Sequence, residues 1–478
     1  MQRYRYFSAP KWNRRSIMLN LSSRIYWLCD IGFITGLVFA LFLGDKVVPL
    51  LILTGALPLI FQIRAFKGFS LSIPLGRLLW PAGLYFGYSL LTFFFFTGLR
   101  PDEPRPANPD LELYLVAIAM LALGTSRGLS VSSLSRQFQS IVPWALLVSF
   151  LVLSGYMFLG IRDGCRVKAE AGWPFIPALI FATLTFLTLL EWAHLTANAR
   201  RLRYALLTCS IIVTIAYTNS RGIGIAQAVC LGGLAVLSLT GCFRDHLPNW
   251  RGLVATAILG LTLSVLVGGI TGCGADTRLQ SIFRVLTILT GSEAHASNYP
   301  KSASPIDPPL QERAITVAQV SAPPGPPPAK ATEQKIMDTD PSIGLRLQMW
   351  KVSVESFLQA PVFGHGSLYL QRLISTPFGA AYQHNHNQYL TWLATGGIFA
   401  FGLGLCFLAI PWFVSLDLPA QDRLVITLSI SVFWGVSMIF DSFFGLKFYI
   451  HYYCMLVGVI YALATDQIRK DKRQTDAG

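Results

Sequence analysis

The sequence predicts an all-α, multi-pass membrane protein, and its composition and hydropathy pattern carry this prediction. Of its 478 residues, 53% are hydrophobic and 13% are charged, whereas a soluble globular domain has about a quarter charged residues. The apolar residues form stretches of about 20, which is the length of helix that crosses a bilayer core. Alternating apolar and polar strands of about ten residues, which would predict a membrane barrel, are absent from the sequence.

Hydropathy and stretch length predict about twelve membrane-spanning helices. The segment 111–125 is the weakest of them because it is short for a span. The predicted spans are 25–44, 47–63, 78–98, 111–125, 139–160, 173–192, 204–220, 223–242, 253–271, 388–413, 424–441 and 448–465.

Lysine and arginine residues predict the orientation of these spans, because such residues accumulate in short cytoplasmic loops. If the spans alternate, the basic groups fall on one side, which places both termini in the cytoplasm. The basic residues of the predicted cytoplasmic loops thereby explain the net charge of +14, and nucleic-acid binding is not expected. The basic groups are Arg3 to Arg24, Arg64 and Lys67, Arg127 and Arg136, Arg200 to Arg203, Arg244 and Arg251, and Arg469 to Arg473.

The chain divides into three parts. Residues 1–271 hold the first nine spans, 272–387 form one large external loop, and 388–478 hold the last three spans and a basic cytoplasmic tail. Within the loop, 296–335 is rich in Pro, Ser and Ala and cannot bury enough apolar surface to fold alone. We expect a mobile insertion there, flanked by amphipathic helices at 277–290 and 341–358.

The cysteines give little support for metal or redox chemistry, because no Cys-x-x-Cys pair is present. Cys165 and Cys273 fall in segments predicted to be external. Both a disulfide between them and two unpaired thiols are compatible with an oxidising compartment.

The strongest candidate for chemistry is the stretch His384-Asn385-His386-Asn387-Gln388, where the polar loop meets an apolar run. Polar groups at such a position are costly unless they are hydrated or paired. An imidazole can accept a proton near neutral pH, as a general base must. A metal site is less favoured because two residues at this spacing do not face each other on a helix, and neither Asp nor Glu flanks the pair.

Arginines supply the candidate anion-binding groups. Arg221 follows an apolar run at the external end of the seventh predicted span, and Arg346 lies in the predicted helix 341–358. A guanidinium is always charged and binds phosphate oxygens through two N–H groups. The alternatives are an interfacial Arg221 that extends to lipid headgroups and a solvated Arg346. Arg278 and Arg284 are weaker candidates on the other flank.

Other motifs are less specific. Asp338-Thr339-Asp340 is a pattern that can hold a divalent cation with a sugar nucleotide, but it directly precedes Pro341. Carboxylates at this position more often cap a helix N-terminus. Nucleotide-binding loops and a serine-hydrolase elbow are absent from the sequence.

Three motifs in order resemble the O-antigen ligase and polymerase family of bacterial inner membranes. They are Ser220-Arg221-Gly222, then Arg346 with Trp350 and Pro361 to Gly366, then His386 to Leu390. The resemblance covers 204–412 and the overall helix count. The His-x-His-Asn form is more similar to the ligases than to the polymerases, whereas the Pro-rich insertion matches no feature of the family.

The resemblance implies a GT-C-like fold and an inverting glycosyltransferase that uses neither metal nor cofactor. The donor would be an undecaprenyl diphosphate-linked glycan and the acceptor a sugar of the lipid A core, both reached from the periplasmic face of the inner membrane. His386 would be the general base with His384 as the second choice. Arg221 and Arg346, with Arg278 and Arg284, would bind the diphosphate, and Asn387 or Gln388 would orient donor or base.

Two alternatives remain at this stage. One is a polymerase of the same family, which would join repeat units. The other is a transporter or flippase for a lipid-linked solute, for which about twelve spans would also suit. A transporter needs polar residues near the bilayer midplane, whereas the strongest polar candidates here lie at one membrane face, with Asp30 and Glu191 as exceptions.

Overall fold

The computed structural model describes residues 14–43, 76–98, 115–122, 134–163, 166–167, 175–241, 246–272, 340–378 and 384–477, with residues 46, 51, 54 and 125. Helices account for most of them, and the sheet among them is a two-stranded hairpin. Five of the described helices are long and apolar enough to cross a bilayer. The helical membrane class is therefore confirmed, while the number of twelve spans stays a prediction.

Among the described residues up to 272, seven helices have twelve residues or more, and one hairpin is present. A five-residue π-helix, Val213–Tyr217, continues the fifth helix. The elements are α1 (Arg14–Leu43), α2 (Gly76–Gly98), α3 (Leu134–Phe158), β1 (Arg162–Asp163), β2 (Arg166–Val167), α4 (Ile176–Leu187), α5 (Ala197–Ile212), α6 (Arg221–Leu239) and α7 (Trp250–Ile270). Residues 115–122 are also helical.

The described residues from 340 to 477 add seven further α-helices. A π-helix, Thr427–Val432, joins the twelfth and the thirteenth. The elements are α8 (Pro341–Gln359), α9 (Ser367–Phe378), α10 (Gln388–Leu408), α11 (Ile410–Val414), α12 (Ala420–Ile426), α13 (Phe433–Ser437) and α14 (Lys447–Ala477).

The helix α14 lies at the centre of the packed helices. In its most apolar stretch of 18 residues, 100% of the residues are buried, whereas in the corresponding stretch of α7 only 28% are buried. The outer helices therefore expose apolar side chains such as Leu151, Ile258 and Trp80. An exposed apolar surface of this extent would be unfavourable in water, so it fits contact with lipid.

The observed elements differ from the predicted spans mainly at their ends. Helix α1 begins at Arg14 rather than near 25, and α14 continues to Ala477 rather than ending near 465. The hydropathy pattern marks where a helix is apolar, and polar turns that extend the helix beyond the lipid leave no signal in it. The predicted span 424–441 consists of α12, the π-helix and α13 in succession.

The chain forms two compact units, one of residues Met1–Gly274 with Ser353–Gly478 and one of Ala275–Val352. The predicted helix at 341–358 is confirmed as α8, of which residues from Ser353 onward belong to the larger unit. Asp340 caps it, since its Oδ1 accepts the backbone N–H groups of Ser342 at 3.1 Å and Ile343 at 3.2 Å. Capping is thus the observed role of this carboxylate. The predicted helix 277–290, the insertion 296–335, Asp338 and the pair Cys165 and Cys273 lie outside the described residues.

Candidate active site

The histidines lie in a short extended segment that leads into α10. Asn387 is the N-cap of this helix, and its side chain accepts the backbone N–H of Leu390 at 3.1 Å. An Asn at this position satisfies one of the N–H groups that a helix start leaves without an intrahelical partner. The helix therefore begins after the histidines, and neither of them is constrained by helical geometry.

The two imidazoles face each other, which corrects the expectation that this spacing keeps them apart. His386 adopts a left-handed backbone conformation with φ of 54°, which is uncommon for a residue with a side chain. The turn brings the ring centroids of His384 and His386 to 4.3 Å. It also lets the backbone N–H of His386 donate to Nδ1 of His384 at 3.4 Å. The spacing rule for residues on a helix does not apply to these histidines, because both precede α10.

A carboxylate from a distant part of the chain completes this cluster. Oδ1 of Asp441 lies 3.2 Å from Nδ1 of His386 and 3.9 Å from Nδ1 of His384. The same oxygen accepts the backbone N–H of Ser442 at 2.8 Å. A neutral imidazole that donates through Nδ1 keeps the lone pair on Nε2. The arrangement therefore gives His386 the tautomer that a general base needs.

The side chain of Asn385 is buried, and its hydrogen bonds fix the segment around the histidines. Its Nδ2 donates to Oγ of Ser353 at 2.9 Å. Its Oδ1 accepts the backbone N–H of Asn387 at 3.0 Å and the hydroxyls of Thr391 at 2.8 Å and Ser442 at 3.2 Å. Since a buried polar network of this kind holds its members in one arrangement, Asn385 positions both the histidine segment and the residue after Asp441.

Gln388 joins the histidine segment to the segment that carries Asp441. Its backbone N–H donates to the carbonyl of Met438 at 2.9 Å, and its Oε1 accepts the backbone N–H of Phe444 at 2.7 Å. The side chains of Gln388 and Asn387 are buried and bind backbone groups. Of the two orienting roles predicted for them, this geometry fits orientation of the base.

Arg221 begins α6 and is half-buried. The residue after it, Gly222, approaches Phe440 so closely that an added Cβ would lie 2.5 Å from the Cβ of Phe440. Phe440 directly precedes Asp441. The Ser220-Arg221-Gly222 motif therefore starts α6 next to the segment that contains Asp441, the partner of His386. The glycine makes this approach possible because it has no Cβ.

Arg346 is half-buried on α8, in the part of that helix that belongs to the unit Ala275–Val352. Arg278 and Arg284 lie outside the described residues, so the roles predicted for these three arginines stay predictions.

The motif from Pro361 to Gly366 packs against a break in α10. Helix α10 has a non-helical residue at Gly397, with φ of 64°, and an added Cβ there would collide with the carbonyl of Val362. Backbone bonds connect the two segments, from His365 to the carbonyl of Ala394 at 3.1 Å and from Ile398 to the carbonyl of Pro361 at 2.9 Å. The motif thus satisfies backbone groups that the break would leave unpaired within an apolar helix.

His384, His386 and Asp441 also form a set that could hold a metal ion, since their ligand atoms lie within 4.8 Å of one another. In the structure these atoms bind one another and neighbouring backbone groups: Nδ1 of His384 accepts from His386, and Oδ1 of Asp441 accepts from Ser442. The expectation of a metal-free site therefore stays a prediction that a metal-binding measurement must test.

Sequence reasoning missed Asp441 and Ser442, and it included Asn385 in the candidate stretch without a role of its own. A signal for Asp441 existed, because it is an acid at the end of the predicted span 424–441, while the span beginning at 388 starts from the same side. Asn385 stands between the two histidines, but nothing in the sequence indicates that its side chain is buried.

Comparison with known proteins supports the resemblance on which the site was predicted. Residues 204–405 match the family model described as O-antigen ligase. The matched range includes Arg221, Arg346 and both histidines, whereas Asp441 lies beyond it. A search among curated proteins gives no match.

Proposed function

We propose, from the match of residues 204–405 to the O-antigen ligase family, that this protein transfers a glycan from undecaprenyl diphosphate to a sugar hydroxyl of the lipid A core. The bond between the anomeric carbon and the diphosphate oxygen breaks, and its electron pair leaves with the diphosphate. The acceptor oxygen attacks the anomeric carbon and loses its proton to the enzyme. Direct attack inverts the anomeric centre.

The observation that carries the proposal is the 3.2 Å contact between Nδ1 of His386 and Oδ1 of Asp441. In this arrangement Asp441 holds the imidazole so that Nε2 accepts the acceptor's proton, and the carboxylate stabilises the imidazolium that results. His386 is partly exposed, with 21% of its side chain accessible, so a substrate hydroxyl can approach it. His384 shapes the site through its ring contact and is the second choice of base.

Arg221 is the proposed partner of the leaving diphosphate. Negative charge grows on the diphosphate as the glycosidic bond breaks, and a fixed guanidinium stabilises this charge most in a site that excludes water. The first turn of α6 adds the positive end of a helix at the same place. Arg346 is a further candidate for this anion because it lies in the family motif, and Arg278 and Arg284 are the weaker candidates that the sequence offers.

The membrane position is part of the proposal. We place the site at the periplasmic face of the inner membrane with both termini in the cytoplasm, as the distribution of basic residues favours. Lipid-linked donor and acceptor would then reach the histidines within the plane of the bilayer.

Deletion of the gene in its host, followed by gel analysis of lipopolysaccharide, tests this function. The ligase predicts that long-chain lipopolysaccharide disappears while the lipid-linked polymer is retained. Lipopolysaccharide that carries single repeat units would instead identify a polymerase. An unchanged pattern of both lipopolysaccharide and lipid-linked polymer would contradict the proposal.

A further inference from the structure

A cavity of about 780 Å³ lies at the opposite end of α6 from the histidines. Arg221 begins this helix, and Ser238 and Leu239 at its end line the cavity. A helix rises about 1.5 Å per residue, so α6 separates the two places by nearly the thickness of a bilayer core, about 30 Å. The cavity therefore lies at the other membrane surface and is distinct from the candidate active site.

Two arginines and two tryptophans give this cavity its chemistry. The guanidinium of Arg200 lies 5.8 Å from the ring centroid of Trp192, and that of Arg251 lies 5.5 Å from the ring centroid of Trp250. Both pairs line the cavity. A guanidinium above an indole face is held in place without losing its charge, so both cations stay available to an anion.

Neither arginine has a carboxylate partner among the residues that the structure describes. Arg200 donates to the backbone carbonyls of Trp192 and Ala193 at 3.3 and 3.0 Å, which neutralises no charge. The nearby Asp422 accepts the backbone N–H of Glu191 at 3.1 Å. Burial raises the pKa of its carboxyl, which weakens its competition for the arginines. The charged residues that line the cavity are thus both cationic.

The surface next to the cavity is apolar and exposed. Leu239 lines the cavity with 58% of its surface exposed, and Val236, one turn earlier on α6, is 59% exposed. On α7, Trp250 is followed at helical spacing by the exposed residues Val254 and Ile258. Residues four apart lie on one helix face, so an apolar stripe runs from the cavity along α7 toward the bilayer core.

We propose that this cavity binds the phosphate headgroup of an anionic membrane lipid, whose acyl chains lie along the exposed stripes of α6 and α7. Arginine recognises phosphate oxygens through paired N–H groups, and tryptophan and tyrosine prefer the headgroup level of a bilayer. Tyr204 completes this aromatic lining. A free phosphate ion would use the arginines alone, whereas the apolar stripes favour a lipid as the source of the phosphate.

Native mass spectrometry of the purified full-length protein in detergent tests this proposal. The probes are phosphatidylglycerol, phosphatidylcholine as the zwitterionic control, and inorganic phosphate as competitor. The wild-type protein should retain phosphatidylglycerol in preference to phosphatidylcholine, and excess inorganic phosphate should not displace it. Displacement by inorganic phosphate, or equal retention of the two lipids, would overturn the assignment to an anionic lipid.

The matched variants are Arg251→Gln and Arg201→Gln. Arg251 is exposed and its guanidinium lies over the ring of Trp250, so its replacement should leave folding intact. The loss of charge-assisted bonds should weaken phosphatidylglycerol binding at least about tenfold. Arg201 is an exposed neighbour of Arg200 that does not line the cavity, and its replacement should leave binding unchanged. Equal effects of the two variants, or none from Arg251→Gln with an unchanged melting temperature, would refute the site. Because the measurement needs no transfer activity, its outcome is independent of the proposed function.

Discussion

At the level of single residues, the candidate base depends on a partner that lies 55 positions away in sequence, since His386 contacts Asp441. An imidazole alone can take a proton at either ring nitrogen. Bonded through Nδ1, it presents Nε2 to the substrate and is stabilised once it becomes charged. The expected function of Asp441 is thus to orient and stabilise His386 rather than to bind substrate.

Replacement of Asp441 by Asn should lower the turnover number on the order of 10²-fold or more, with little change in KM, because the amide cannot stabilise the imidazolium. The measurement is a transfer assay with purified protein and lipid-linked donor. Asp417→Asn is the control, since Asp417 forms an exposed ion pair with Arg77 at 2.7 Å and such pairs contribute about 0–1 kcal/mol. If Asp441→Asn reduced activity no more than Asp417→Asn, the carboxylate would have no part in the mechanism.

Gly222 permits a test of the approach between α6 and Phe440. Gly222→Ala should destabilise the protein by about 1–3 kcal/mol, because the new methyl group overlaps Phe440, and should lower transfer by displacing Arg221 or Asp441. Gly224→Ala is the matched control, since its added Cβ would meet only Thr214, at an ordinary 3.7 Å. Thermal unfolding and transfer rate are the readouts. If the two variants had the same stability and transfer rate, Gly222 and Phe440 would not be in close contact.

The histidine pair and Arg221 could be predicted from sequence because they are polar groups next to apolar runs, where their presence needs a reason. Asp441 shares that property, but its pairing with His386 depends on how two helices pack. The left-handed turn at His386 was also hidden, because a spacing rule for helices was applied to residues that precede one.

At the level of elements, helix α10 combines the N-cap at Asn387, the break at Gly397 and the contact with the motif at 361–366. The break divides a helix that would otherwise run unbroken through the apolar layer. Because the motif bonds to the backbone on both sides of the break, it ties the segment 361–366 to the helix that begins beside the histidines.

Gly397→Ala should disrupt this contact, because Ala at a φ of 64° is strained and its Cβ would meet the backbone of Val362. We expect a clear fall in melting temperature in detergent together with reduced transfer. Gly402→Ala, on the same helix, has nothing within 4 Å of its added Cβ and should be neutral. A neutral Gly397→Ala would contradict the docking of the motif.

The pattern of apolar runs predicted the five described helices that are long and apolar enough to cross a bilayer, since a bilayer demands helices of a minimum length. It could not predict the break at Gly397 or the π-helices at 213–217 and 427–432, because these depend on neighbouring segments. The role of the Pro-x-x-Gly-x-Gly motif was equally invisible, since its partners are backbone groups of another helix.

At the level of the whole molecule, the proposed transfer site and the proposed lipid-binding cavity lie at opposite ends of helix α6, with Arg221 at its start and Leu239 at its end. Exposed apolar residues such as Ile225, Val229 and Val236 lie along this helix between its two ends. Such a surface would suit substrates that arrive through the bilayer.

The orientation can be tested with single cysteines in a background that lacks the native ones. Leu310→Cys should react with an impermeant thiol reagent in intact cells, because 272–387 is predicted to be periplasmic. Thr475→Cys should react only after the inner membrane is opened. Labelling with the reverse pattern would place the histidines in the cytoplasm and exclude the proposed acceptor.

The transfer rate of His386→Ala, measured with purified protein, lipid-linked donor and lipid A-core acceptor in the presence of EDTA, decides whether His386 is the base of a metal-free transfer. We expect full wild-type activity in EDTA, a loss of about 10²–10⁴-fold in His386→Ala and partial activity in His384→Ala. His194→Ala should show none of this loss, since His194 is an exposed histidine outside the candidate site. Wild-type activity in His386→Ala, or EDTA inhibition that Mn²⁺ or Mg²⁺ reverses, would contradict a metal-free mechanism with His386 as the base.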